Sequence, residues 1–248
     1  MDRRTTRVFE TPEDMDSGTK FTTNMGDLVV VRYHSSKKVD VKFVNTGYTC
    51  NTTATSIRQG LVKDPIFPSK FGVGFLGIGP HKMVPNGVTN PAYAKWANMM
   101  ERCYDEKYLE RKPTYRGCSV CDEWHNFQNF ADWYETHAID GYQLDKDIKV
   151  KGNKIYNPLN CLFVPQPLNL LFTDCAAKRG ELARGVRRSK SRFRASIRDH
   201  NGFRISIGSF PTEEQASNAY EKARHDKIVS IIESGVYGEL GKFLYQHI

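Results

Sequence analysis

Hydrophobic and polar positions alternate most strictly between Arg192 and Arg198. Phe193, Ala195 and Ile197 fall on one side of an extended segment, and Arg192, Arg194, Ser196 and Arg198 on the other. His200-Asn201-Gly202 supplies turn chemistry, and Phe203 to Phe210 resumes as a second strand. Thr212-Glu213-Glu214-Gln215 reads as a capping box, opening a helix with Ala216, Ala219, Tyr220 and Ala223 along one stripe. Small residues there allow close approach to a sheet, so the helix is expected to cover the Phe193/Ala195/Ile197 face and leave the arginines outward. Further upstream, Leu28 to Tyr33 and Val39 to Val44 predict a hairpin around Ser35-Ser36-Lys37-Lys38, and Thr53 to Gln59 a short helix. Asn90-Pro91 starts another helix, on which Trp96, Met99 or Met100, and Cys103 recur at helical spacing. A second aromatic helix, Trp124 to Tyr134, presents Phe127, Phe130 and Ala131, and both stripes read as core. Between these helices and the basic segment, a strand ending at Asp145 is followed by a Lys/Gly/Asn loop. The turn Asn157-Pro158-Leu159-Asn160 then leads to a strand Cys161 to Val164 and a helix Leu168 to Phe172.

These elements predict a multi-domain α+β chain. Residues 1–20 are expected to be a disordered leader, and 21–80 a β-rich module whose role the sequence does not reveal. Residues 90–173 form a central strand–loop–strand–helix finger preceded by two aromatic helices. Residues 180–248 form a three-stranded sheet packed on one helix, joined by the polar link Asp174 to Leu182. The glycines of Phe71-Gly72-Val73-Gly74-Phe75-Leu76-Gly77 lack the context of a nucleotide-binding fingerprint and read as the irregular end of the first module.

Charge sharpens the picture. The 248 residues carry 36 Lys+Arg and 28 Asp+Glu, a net +8. The window from Lys178 to Arg204 holds ten bases and two acids, so the remainder, with 26 of each, is neutral. A charge confined to one segment points to a single polyanionic partner, with nucleic acid leading. The chain is 39% hydrophobic and 12% aromatic, enough for real cores, while no run of about 18 apolar residues predicts a membrane span. No secretory signal is legible. Six unevenly spaced cysteines suggest a reducing compartment, expected to be the cytoplasm (the bacterial host's, if the chain is phage-encoded). Cys118-x-x-Cys121 is the one pair with zinc-ligand spacing, and Cys103 and Cys161 each fit apolar patterns, so structural zinc is not expected.

Two resemblances add to this reading. Arg184-Gly185-Val186-Arg187, Ala195-Ser196-Ile197-Arg198, Ile207-Gly208-Ser209-Phe210-Pro211-Thr212-Glu213-Glu214-Gln215-Ala216 and Ala219-Tyr220 resemble the APETALA/ethylene-response-factor DNA-binding domain over about a quarter of the chain. The resemblance implies that Arg184, Arg187, Arg192, Arg194, Arg198 and Arg204 occupy or flank DNA-facing positions. Ser191 and Ser206 stand near where the plant proteins place tryptophans, so the docking mode carries over and the sequence preference does not.

Between Tyr93 and Phe172 the chain resembles HNH-type nucleases, in particular a phage-encoded group. The likeness rests on Trp96-Ala97-Asn98-Met99-Met100-Glu101-Arg102-Cys103, the Trp124 to Trp133 helix and the finger behind them. In such a finger a strand carboxylate and a helix amide converge on one divalent cation that prefers hard oxygen ligands. The resemblance implies Asp145 and Asn169 as ligands of Mg²⁺ or Mn²⁺ and Asn160 as the organising asparagine. The family's general-base histidine is here Lys146. A lysine near ~10.4 holds its proton at neutral pH, where a histidine near 6.5 accepts one. Lys146 is then expected to neutralise phosphate charge, with Asp147 or a metal hydroxide supplying the nucleophile. His125 and His137 precede the finger without any sequence sign that they reach it.

The expected function is a metal-dependent DNA endonuclease or nickase of phage or mobile-element type, acting as monomer or homodimer on double-stranded DNA held by the basic sheet. The alternative is a catalytically inactive DNA-binding regulator on a degenerate HNH fold, and Lys146 is the feature that would mark it.

Overall fold

The structure is a computed structural model and describes residues 10–172, 181–199 and 202–247. It is mixed α and β with several separate sheets, and it divides into two compact units. The first comprises Met1–Lys112 with Asp122–Asp132, and the second Pro113–Cys121 with Trp133–Ile248.

In the first unit, β1 (Lys20–Thr23), β2 (Gly26–Ser35), β3 (Lys38–Phe43) and β4 (Thr49–Thr52) form an antiparallel meander in sequential order. The period-two pattern places Leu28, Val30, Val39, Val41 and Phe43 on one face, where the helix α1 (Ala54–Arg58) adds Ala54 and Ile57. The expected leader is ordered from residue 10 onward. A 3₁₀ turn at Glu13–Met15 inserts Met15, fully buried, into this core, and Asp14 accepts two hydrogen bonds from Arg58 at 2.7 and 2.9 Å. The acidic and glycine residues of this stretch stay exposed, and the single buried Met15 anchors it. Residues 1–9 lie outside the described residues.

The first aromatic helix belongs to this first unit, and the second does so only as far as Asp132. Asn90 caps α2 (Pro91–Tyr104), its side chain accepting from the Ala92 N–H, and Trp96, Met99, Met100 and Cys103 are buried. After α3 (Glu106–Arg111) and the short strand β5 (Ser119–Val120), the expected single helix from Trp124 is two: α4 (Asp122–His125) and α5 (Phe127–His137). The break has a cause. Phe75 N–H donates to the His125 carbonyl, the Phe75 carbonyl accepts from Phe127, and the Asn126 side chain caps α5 by accepting from Gln128 N–H. The glycine-rich stretch is what lets this segment approach: a Cβ at Gly77 would overlap the Asn126 side chain, and one at Gly74 would press on Trp96.

In the second unit, β6 (Tyr142–Asp145) pairs antiparallel with β8 (Leu162–Pro165), while β7 (Ile155–Tyr156), in the loop between them, pairs parallel with β5. The helix α6 (Gln166–Phe172) follows β8 directly and packs Leu168 and Leu171 against Val164 and Ile148. Beyond the undescribed residues 173–180, β9 (Val186–Ser189), β10 (Arg192–Arg198) and β11 (Arg204–Phe210) form a sheet with β10 central. Thr212 caps the long helix α7 (Glu213–Ser234), which packs Ala216 and Tyr220 under Val186, Ala195 and Ile207; α8 (Glu239–Leu244) and a 3₁₀ turn at Tyr245–His247 close the described chain. Most of the expected polar link, and His200 and Asn201 of the expected turn, lie outside the described residues.

The expected division at residues 173–180 is not the one the core follows. Ile228 of α7 and Leu244 of α8, both fully buried, share a cluster with Val164, Leu168 and Leu171 of the finger. Arg184 donates to the Leu170 and Leu171 carbonyls (3.2 and 2.6 Å), and Arg224 donates to Leu171 (3.1 Å). These two guanidiniums satisfy orphan carbonyls at the negative end of α6.

Candidate functional site

The basic sheet supplies the first surface. On β10, Arg192, Arg194 and Arg198 are exposed while Ala195 is fully buried and Phe193 and Ile197 are partly so. Register carries this across the sheet: Arg194 faces Arg187 on β9 and Ser209 on β11, and Arg198 faces Arg204. A bulge in β11 skips Ile207 between the pairs Ala195↔Gly208 and Ser196↔Ser206. That extra residue turns Ile207 into the core cluster and aligns Ser206 and Arg204 with the outward positions of β10. The result is a shallow depression of about 430 Å³, rimmed by Arg187, Arg194 and Arg204, with Ser196, Ser206, Gly208 and Ser209 on its floor.

The arginines are not equivalent. Arg187, Arg194 and Arg204 have no hydrogen-bond or ion-pair partner among the described residues. Arg192 reaches over the sheet to Ser209, donating to its hydroxyl (3.1 Å) and carbonyl (2.7 Å), and Arg198 donates to the Gly202 carbonyl (2.6 Å). Arg184, expected on the DNA side, is instead the cap on α6 and is only partly exposed. Its sequence neighbour Gly185 explains the geometry: at φ +72° and against the Tyr220 ring, it carries the chain under the sheet edge before β9 begins.

The finger supplies the second surface. Asp145 ends β6; its Oδ1 accepts the N–H groups of Asp147 (2.9 Å) and Ile148 (2.7 Å), and Oδ2 has no hydrogen-bond partner among the described residues. Burial, reinforced by the neighbouring Asp147 charge, pushes this carboxyl up to about 6 against the pull of those N–H groups. Asn169 on α6 donates Nδ2 to Gln143 Oε1 at 3.1 Å. Gln143 and Asp145 are two residues apart on β6 and share its face. The two expected ligand positions are thus brought to one side of one strand. Their hard oxygens suit Mg²⁺ or Mn²⁺. Among the described residues, no three His, Cys, Asp or Glu side chains gather into a cation-holding group.

Lys146 does not present its charge outward. It is 7% exposed, and its ammonium donates to Asp147 Oδ2 (2.8 Å) and the Asn153 carbonyl (3.1 Å) beside the Tyr156 ring. Burial pulls its pKa down, but the Asp147 hydrogen bond and charge outweigh this and hold it above the ordinary lysine value. The phosphate-neutralising role expected for Lys146 is therefore replaced by a loop tie. Asp147, the expected competing base, is its ion-pair partner.

Asn160 also differs from its expected role. Its Nδ2 donates to Asn153 Oδ1 (3.2 Å), and Asn153 does the bridging: Nδ2 to the Lys146 and Ile155 carbonyls (2.6 and 2.8 Å), with Oδ1 accepting from Ile155 N–H (3.2 Å). The Gly152-Asn153 pair opening the return strand is the sequence signal that could have found it. His125 belongs to the first unit, beside Tyr104 and Asp122. His137 stacks on Trp133, its Nδ1 2.8 Å from the Trp133 carbonyl.

No family model, no curated protein and no solved structure matches this chain. Among the described residues, no helix is long and apolar enough to cross a membrane.

Proposed function

We propose that this chain binds duplex DNA through the outer face of the β9–β10–β11 sheet. On this reading residues 181–247 are a DNA-binding sheet and helix of the APETALA/ethylene-response-factor type, and residues 142–172 an HNH-like ββα finger. The observation that carries it is the disposition of Arg187, Arg194 and Arg204. They are three guanidiniums on adjacent rigid strands, exposed, without partners among the described residues, around a floor of small residues. Arginines on a sheet can reach phosphates and the O6/N7 edge of guanine, and a floor of Ser and Gly lets a backbone come close. Leaving out Arg184, five arginines remain on this face. At ~0.9 per phosphate contact they give a log–log salt slope of about −4.5. Fluorescence anisotropy of the full chain on duplex DNA between low and moderate salt tests this. Arg194→Ala should weaken binding and reduce the slope by about 0.9. Salt-insensitive binding, or binding unchanged by Arg194→Ala, would place the contact elsewhere.

A second reading is favoured by the Asp145 Oδ2, which has no hydrogen-bond partner among the described residues and lies on the face of β6 whose Gln143 bonds Asn169: the finger is a metal-dependent endonuclease or nickase. Asp145 and Asn169 would hold the divalent ion, which when bound supplies positive charge to a phosphate oxygen. Lys146 cannot accept a proton while it holds its own, so proton removal falls to Asp147, released from its ion pair, or to solvent. Purified protein should nick supercoiled plasmid with Mg²⁺ or Mn²⁺, and Asp145→Ala should lower the rate at least 100-fold. A wild-type protein inert with every divalent metal leaves the DNA-binding regulator.

A further inference from the structure

Between the C-terminal end of α6 and the start of β9 lies a crevice of about 340 Å³, entirely within the second unit. One wall is apolar: Leu170, Leu171, Ile197 and the ring of Tyr220. Leu170 is 40% exposed although its helix neighbours Leu168 and Leu171 are core, so an apolar side chain is left facing solvent at this wall. Four arginines also line it: Arg184, tied to the Leu170 and Leu171 carbonyls, and Arg187, Arg198 and Arg204, which form a cationic rim. Arg187, Ser196 and Arg204 also line the depression on the sheet face, so the two hollows share part of their lining.

Resting on the DNA-binding reading above, we infer that this crevice receives one unpaired nucleotide of the DNA held on the sheet. Its base lies against the Leu170/Ile197 wall and its phosphate at the arginine rim. Size and chemistry select this occupant. The volume is at the small end of ligand sites, right for a single flat heterocycle and too small for a duplex, whose groove alone is ~12 Å wide. Inorganic phosphate would leave the apolar wall unused, and an apolar side chain would leave three guanidiniums without counter-charge. A nucleotide satisfies both walls, and the Ser196 hydroxyl offers a hydrogen bond to a base edge. Extruding a base is least unfavourable where it is already unpaired, so bulged or mismatched sites are the expected targets.

The test uses the full chain and three oligonucleotides of one sequence: a paired duplex, the same duplex with one bulged nucleotide, and the same bulge with its base removed. The bulged duplex should bind about tenfold tighter than either of the others, in line with the contribution of one stacked base. The abasic bulge separates base insertion from flexibility. Leu170→Gln removes the apolar wall and Leu170→Trp fills the crevice. Each should abolish the preference while paired-duplex affinity stays within twofold. Equal affinity for the two bulged duplexes overturns the inference and leaves the DNA-binding reading standing. Failure to bind any of the three overturns that reading, and the inference with it.

Discussion

At Asp145 and Lys146 two adjacent side chains are both withdrawn from solvent, with opposite consequences for their charges. Lys146 is drawn inward because Asp147 and the Asn153 carbonyl satisfy its ammonium, which makes its burial tolerable. Asp145 keeps one oxygen without a partner among the described residues, in a site where burial and Asp147 disfavour its charge. The sign of the pH dependence follows. The folded protein holds the Asp145 proton up to about pH 6, whereas the unfolded chain releases it near ~3.9. Folding is thus favoured by this group below about pH 4, and that contribution is lost as pH rises through about 6. Asp145→Asn should therefore stabilise the protein at pH 7.5 by about 1–3 kcal/mol. The gain should shrink as pH falls through 6 and vanish near 4. Urea denaturation at pH 4.5, 6 and 7.5 reads this directly; a gain of the same size at all three would show that the carboxyl is not destabilised by its surroundings.

Among the elements, β11 decides the composition of the proposed interface. Phe210 must face inward, because it pairs with Phe193. Strict alternation back from Phe210 would then turn Ser206 and Arg204 inward and Ile205 and Ile207 outward. The bulge at Ile207 reverses the faces partway along the strand, at the position where Gly208 contributes no side chain. The same kind of non-local decision splits the second aromatic helix, where Phe75 takes up the hydrogen bonds on either side of Asn126. Both features depend on a partner distant in sequence. The caps do not: Asn90 on α2 and Thr212 on α7 are formed by residues two and three positions away.

For the whole molecule, the shared cluster of Val164, Leu168, Leu171, Ile228 and Leu244 makes the finger and the basic sheet parts of one folded unit. A fragment of residues 180–248 would lack the finger's half of that cluster, leaving Ile228 and Leu244 newly exposed. Burial of two such side chains contributes about 3–6 kcal/mol, a large part of a small domain's stability. The fragment should therefore lose cooperative thermal unfolding by circular dichroism, whereas the intact chain keeps it. Hydrogen-exchange protection of β10 in the fragment equal to that in the full chain would contradict the shared core.

The sequence by itself determined what local spacing controls. The alternation over Arg192–Arg198, the hairpin around Ser36, the short helix α1, the capped starts of α2 and α7, and the concentration of positive charge near one sheet were all legible, because each rests on residues within a few positions of one another. Tertiary structure alone decided which charged groups are available. Arg184 and Arg198 carry the same side chain in the same basic window. Only packing sends Arg184 to the carbonyl end of α6 and leaves Arg198 on the open face. Lys146 and Asn153 are seven residues apart across a loop whose closure the sequence does not specify, and their hydrogen bonds settle where the lysine points. Met15 enters the core because a sheet formed by later residues offers it a place. The physical reason is common to all three. The free energy of burying a side chain or satisfying a buried charge depends on the partners that folding brings to it, and those partners are not its sequence neighbours.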